Sequence, residues 1–136
     1  MHYLAMQYGY NAANHLDMYT GEHIYARFLE DFSMKYLFKA RSMLDTDPNK
    51  KEFVAELFKT HYPAFLKSFE SVLKGADCKF ILGQRLTMYD FYLGGFFFNH
   101  VKNPLNPFAQ QWAESKAPPK VEKYIKDFEE QMHEYL

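Results

Sequence analysis

Three groups of residues in this sequence have types that could do chemistry: a carboxylate near a hydroxyl, a thiol beside an amine, and rings and imidazoles spaced along one helix. The carboxylate is Asp90, in Leu86-Thr87-Met88-Tyr89-Asp90-Phe91. Its type suits general acid–base work, but its spacing points to structure. Thr87 can accept from the Asp90 N–H while Asp90 reaches back to the Thr87 N–H. Leu86 and Phe91 then occupy the positions of a hydrophobic staple, so the four residues read as the capping box and staple of a helix. The thiol is Cys78, in Asp77-Cys78-Lys79. The adjacent lysine would favour a thiolate, but no histidine stands beside it as a base, and it reads as a bystander. The six histidines, at 2, 15, 23, 61, 100 and 133, form no HExxH and no i, i+4 pair, so no metal site is expected. Tyr19, His23 and Tyr25 could line an apolar ligand pocket, although tyrosines at helical spacing ordinarily pack.

Helices must position these residues. Apolar side chains recur at three- and four-residue steps almost throughout, and no stretch alternates like a strand for long. Tyr3, Leu4, Tyr8 and Tyr10 suggest a short first helix ending near Gly9, with a turn over Asn11 to Asn14. A long helical pattern follows from about His15 to Leu44, and Gly21 inside it marks a close approach or a bend. Asp47-Pro48 reads as a cap and first residue of the next helix. Pro63 demands a kink or restart near Tyr62, and Gly75 is a plausible C-terminal cap. Met88 to about Val101 is apolar nearly all round, the pattern of a buried central helix; Gly94-Gly95 would let a neighbour come close. Phe108 to Glu114 predicts a short helix. Val121, Tyr124, Ile125, Phe128, Met132 and Tyr135 form one stripe of a last amphipathic helix. The expected fold is all-α: five or six helices bundled around the Met88–Val101 helix.

Composition narrows the function. The 136 residues make one domain's worth of chain, with 16 basic and 17 acidic side chains and a formal net charge of −1. That excludes general nucleic-acid binding by phosphate neutralisation. No apolar window is long enough to span a membrane. A single cysteine allows no internal disulfide, and no signal peptide is visible. An intracellular, cytoplasmic protein is therefore expected. Fourteen Phe, eleven Tyr and one Trp make 19% of the chain aromatic. That is more ring surface than a helical domain this size readily buries, and the surplus points to a contact surface.

The stretch Phe80-Ile81-Leu82-Gly83-Gln84-Arg85-Leu86-Thr87-Met88-Tyr89-Asp90-Phe91 resembles the signature of the glutathione transferase C-terminal domain, where it caps the buried core helix. Asp90 stands where capping boxes usually carry Glu or Gln. Tyr62-Pro63-Ala64-Phe65 with Phe69-Glu70-Ser71-Val72-Leu73 resembles the helix before that loop. Pro118-Pro119-Lys120-Val121 with Tyr124 resembles the entry to that family's late helices. Tyr3-Leu4-Ala5-Met6-Gln7-Tyr8-Gly9 is similar to the end of the last helix of the family's thioredoxin-like N-terminal domain. Leu16-Asp17-Met18-Tyr19-Thr20 is similar to the start of the C-terminal domain in the alpha, mu and sigma branches.

The resemblance implies that residues 1–14 are a remnant of that last helix plus linker, and residues 15–136 the helical domain. It implies that Asp17 matches an acidic residue that reaches the glutathione amino group across a dimer interface. A helix-start Asp favoured by the helix dipole is the plainer account. The thioredoxin-like domain supplies the thiol-activating residue, the cis-proline loop and the Glu/Gln-Ser pair, none of which stands in this sequence. No catalytic residue and no transferase activity are thus expected of this chain alone, with glutathione a cofactor only if such a domain is present. Tyr3, Leu4, Tyr8 and Tyr10 would then seek a protein partner or a second copy to cover them. Three functions follow as expectations: a non-catalytic interaction or structural module, the C-terminal half of a transferase that conjugates glutathione to apolar electrophiles, or an apolar-ligand carrier using the Tyr19 region.

Overall fold

Asn14 starts the longest helix by the usual means. Its backbone is extended (φ −153°) and its side chain accepts from the Asp17 N–H at 2.9 Å, satisfying one of the donors a helix start leaves open. The computed structural model describes residues 2–73 and 77–133. Among these residues it forms six continuous helices and, apart from an isolated bridge between Phe80 and Gly83, no sheet pairing.

The first helix, α1 (His2–Tyr8), stops at Gly9, whose φ of +76° suits glycine. Helix α2 spans 15–42. It begins as His15–Ala26, widens into π turns over Arg27–Phe38, and tightens again over Lys39–Ser42. It ends two residues before the expected Leu44, where Met43 turns extended. Helix α3 spans 50–72 and begins at Lys50 rather than at Pro48. Asp47 serves the turn ahead of it instead, its carboxylate accepting from the Asn49 N–H at 2.8 Å. Pro63 does not stop α3. It has no N–H to give, and just before it the ladder shifts to i−5 pairing over Leu57–His61, with the Tyr62 N–H bonded to the Leu57 carbonyl. Helix α4 spans 88–101, α5 is Ala109–Glu114 and α6 is Pro119–Met132. The expected cap at Gly75 and stripe position at Tyr135 lie outside the described residues.

Helix α4 takes the central place its pattern implied, with Met88, Tyr89, Leu93, Phe96 and Phe97 all buried. Two glycines set how closely its neighbours approach. A Cβ on Gly21 of α2 would fall 2.2 Å from the Tyr89 ring, and one on Gly94 would fall 2.5 Å from the Phe128 ring of α6. Gly95 has no such role, since a Cβ there would meet only the Asn99 amide, at 4.0 Å. Much of the aromatic surplus lies in the core. Phe28, Phe32, Phe65 and Phe96 form one mesh with centroid separations from 4.9 to 6.4 Å. Phe58 and Tyr62 meet Trp112 edge-on at 4.5 and 4.7 Å, the geometry that ring quadrupoles prefer.

Candidate functional site at the N-terminal face

The start of α4 is heavily braced, and it holds the N-terminal segment in place. Asp90 is 0% exposed. One carboxylate oxygen accepts from the Ile81 N–H at 2.9 Å, and the other accepts from the Thr87 N–H and hydroxyl at 2.8 Å each. The capping box with Thr87 is closed, and Phe91 of the expected staple lies half-buried behind it, as does Leu86. Burial pushes the Asp90 carboxyl above its usual range, and the donors around it pull the other way. The Tyr124 hydroxyl sits near enough to feel this charge. Burial first, and then Asp90, raise its pKa, yet it makes no hydrogen bond of good geometry. Asp90 thus carries the loop 80–87 on the core helix and offers nothing to a substrate.

From this anchor the chain reaches back to α1. The Met88 N–H, which a first helical turn leaves without a partner, donates to the Tyr10 carbonyl at 2.9 Å. The Arg85 guanidinium donates to the Asn11 carbonyl. The Tyr10 ring stands edge-on to Phe91 at 5.0 Å. At the other end of α1, His2 lies 3.1 Å from Glu22, which accepts from the Tyr89 hydroxyl at 2.8 Å. Burial, reinforced by Glu22, raises the pKa of that phenol.

On this frame α1 buries Ala5 and turns its large side chains outward. Tyr3 is 76% exposed and Tyr8 66%, with Leu4 and Met6 also bare and Tyr10 at the edge. Leu16, Met18 and Tyr19 of α2 extend the exposed apolar surface. Two shallow recesses open on it. One of about 170 Å³ lies among Leu4, Tyr8, Tyr10 and Phe91, and one of about 300 Å³ among His2, Met6, Met18 and Tyr89; both are floored by Met88. Of the four interface residues expected from sequence, Leu4, Tyr8 and Tyr10 line one recess, and Tyr3 is exposed on α1 but lines neither.

The polar candidates lie on its margin. Asp17 is half-buried and paired with Asn14: each side chain meets the other residue, the Asn14 amide donating to the Asp17 carboxylate at 2.9 Å. Tyr19 and His23 stack one turn apart at 6.2 Å on the exposed side of α2. Tyr25 turns elsewhere and packs on Tyr92 at 4.5 Å, so the structure brings two of these three residues together. Cys78 is half-buried. Among the described residues no group of three His, Cys, Asp or Glu side chains is placed to hold a metal, and no helix is long and apolar enough to cross a membrane.

One feature escaped the sequence. A groove of about 720 Å³ runs between α3 and α5, lined by residues from 45–59 and 107–115. Residues 60–106 separate its two walls in the sequence. The only local signal was Lys51, Ala55 and Lys59, which share one side of a helix at four-residue steps.

Residues 30–136 match the family model described as glutathione S-transferase, C-terminal domain. The chain belongs to that family. No curated protein and no solved structure gave a match. The helices that follow Glu30, with the capped core helix α4 at their centre, are thus the shared part of this transferase-type domain. Helix α1 and the first half of α2, which carry the exposed apolar face and Asp17, lie ahead of the matched span.

Proposed function

We propose that this glutathione-transferase-type domain acts as a non-catalytic helical subunit that docks a folded protein domain on its N-terminal face. One observation carries the reading: the apolar side chains of α1 are exposed while the backbone beneath them is fixed by Ala5, the Tyr10–Met88 bond and the Arg85–Asn11 bond. A fixed, apolar surface costs free energy in water and repays it when covered. Because the backbone is already ordered, little conformational entropy is lost on docking.

A tagged copy of the chain expressed in its source cells tests this. The expected result is a stoichiometric partner that is lost when Tyr3→Glu and Tyr8→Glu are introduced together, with no retention on glutathione resin and no conjugation of 1-chloro-2,4-dinitrobenzene. Recovery as a lone monomer with wild-type side chains would overturn it.

A second reading is favoured by the polar margin of the same face. If a thioredoxin-like domain is the cover, the assembled protein is a glutathione transferase for apolar electrophiles, and Asp17 reaches the glutathione amino group of a second copy across a dimer interface. The intact mass of the endogenous protein under denaturing conditions separates the two. A mass near 16.2 kDa supports a separate partner. A mass greater by a domain, with Asp17→Asn raising the KM for glutathione, supports the transferase.

A further inference from the structure

Three methionines from three helices meet at one recess of the N-terminal face: Met6 of α1, Met18 of α2 and, at its floor, Met88 of α4. Met6 is 69% exposed and Met18 40%, while Met88 is buried. Farther along α2, Met34 is 56% exposed but lines neither recess of that face. Met43 and Met132 are half-buried. A thioether is a flexible apolar group that suits a docking surface. It is also a side chain that two-electron oxidants convert into a polar one.

We propose that Met6 and Met18 form a paired oxidation site, at which a hydroperoxide switches this recess from apolar to polar. A sulfur lone pair attacks one peroxide oxygen. The S–O bond forms as the O–O bond breaks, two electrons pass from sulfur to the peroxide, and the proton of the transferred oxygen moves to the departing one. Hydrogen peroxide leaves as water and an organic hydroperoxide as its alcohol. The reverse step belongs to methionine sulfoxide reductases: the sulfoxide oxygen leaves as water while two thiols become a disulfide. Met88 keeps its thioether, because its burial denies the peroxide access.

The recess suits the product. Asn11 and His15 also line it, and their side-chain N–H groups can donate to a sulfoxide oxygen. Under an apolar cover the same oxygens must give up water, which costs free energy wherever no donor replaces it. Oxidation therefore releases a docked partner. That consequence rests on the docking reading above, whereas the oxidation itself does not.

Graded hydrogen peroxide treatment of the full chain tests this, with peptide mapping by mass spectrometry and retention on a hydrophobic interaction column. Met6 and Met18 should oxidise at least about tenfold faster than Met88. The oxidised chain should elute earlier and regain its retention after treatment with methionine sulfoxide reductases of both stereospecificities and dithiothreitol. Met6→Leu with Met18→Leu conserves volume and apolar character, and should hold retention steady through the same treatment. Met34→Leu should not. Cys78 is present in both variants, so its own oxidation is common to them. Oxidation of Met88 as fast as Met6 and Met18 would overturn the inference, as would a retention loss that persists in the paired variant or disappears in Met34→Leu. Both readouts need no partner, so their failure leaves the docking reading standing, and a chain without a partner leaves them intact. Where a partner is captured, the oxidised chain should lose it and the peroxide-treated leucine pair should keep it. Equal capture by the oxidised chain would overturn the switch.

Discussion

Helices α4 and α1 both carry large apolar side chains around most of their circumference, yet α4 sinks Met88, Tyr89, Leu93, Phe96 and Phe97 into the core while α1 buries Ala5. The difference lies in what surrounds each. Helix α4 has α2 pressed onto it at Gly21 and α6 at Gly94, and its first turn is closed by Asp90 and by the Tyr10 carbonyl. Helix α1 lies at the end of the bundle and touches it along one side. An apolar pattern states how strongly an element favours being covered. It does not state that the cover belongs to the same chain.

If α4 is held by its cap as well as by its packing, removing the cap should give the largest loss. Asp90→Ala leaves the Ile81 and Thr87 N–H groups without partners in a buried setting, and it unties the loop 80–87. We expect a loss of about 2–4 kcal/mol, read from urea unfolding. Asp90→Asn should cost less, because its amide oxygen can still accept from one of the two. A loss under about 1 kcal/mol for Asp90→Ala would mean that packing alone fixes the helix.

The two adjacent glycines of α4 separate packing from propensity. Gly94→Ala must displace the Phe128 ring, and a loss of about 1–3 kcal/mol is expected from overpacking. Gly95→Ala meets nothing closer than the Asn99 amide at 4.0 Å and should gain up to about 1 kcal/mol from helix propensity. Equal effects at the two positions would remove the claim that α6 seats on Gly94. A smaller effect is expected at the far end of the same helix. Burial, and then the charge of Arg41, lower the His100 pKa. A base depressed in the folded state contributes stability above the ordinary histidine range and loses it as pH falls through that range. His100→Gln should therefore flatten the decline in urea midpoint between about pH 7 and pH 5.

The α4 cap was legible because Leu86, Thr87, Asp90 and Phe91 are sequence neighbours whose spacing has one good explanation. The central position of α4 was legible because its apolar residues leave no polar face. Pro63 was read as a kink or restart, and the ladder does change there, but the switch to π pairing depends on packing that no local rule contains. Gly94 and Gly95 looked alike in sequence and differ because Phe128, more than thirty positions on, sits over one of them. The ties that fix the N-terminal face, Met88 to Tyr10 and Arg85 to Asn11, use backbone carbonyls, which carry no residue signal. The α3–α5 groove was hidden for the related reason that its two walls are remote in sequence.

The smallest expected effect on stability falls on α1 and bears most directly on function. Tyr3 and Tyr8 make no core contact that their removal would leave empty, so Tyr3→Ser with Tyr8→Ser should change unfolding free energy by no more than about 0.5 kcal/mol. The same pair should abolish recovery of a docked partner. This combination is what a fixed, exposed surface predicts, because Ala5 and the Tyr10 carbonyl, not the tyrosine rings, hold α1 to the bundle. A stability loss above about 1 kcal/mol would show instead that the rings fold back onto their own domain. The exposed face of α1 would then be part of the core's outer layer, and the contrast with α4 would become one of degree.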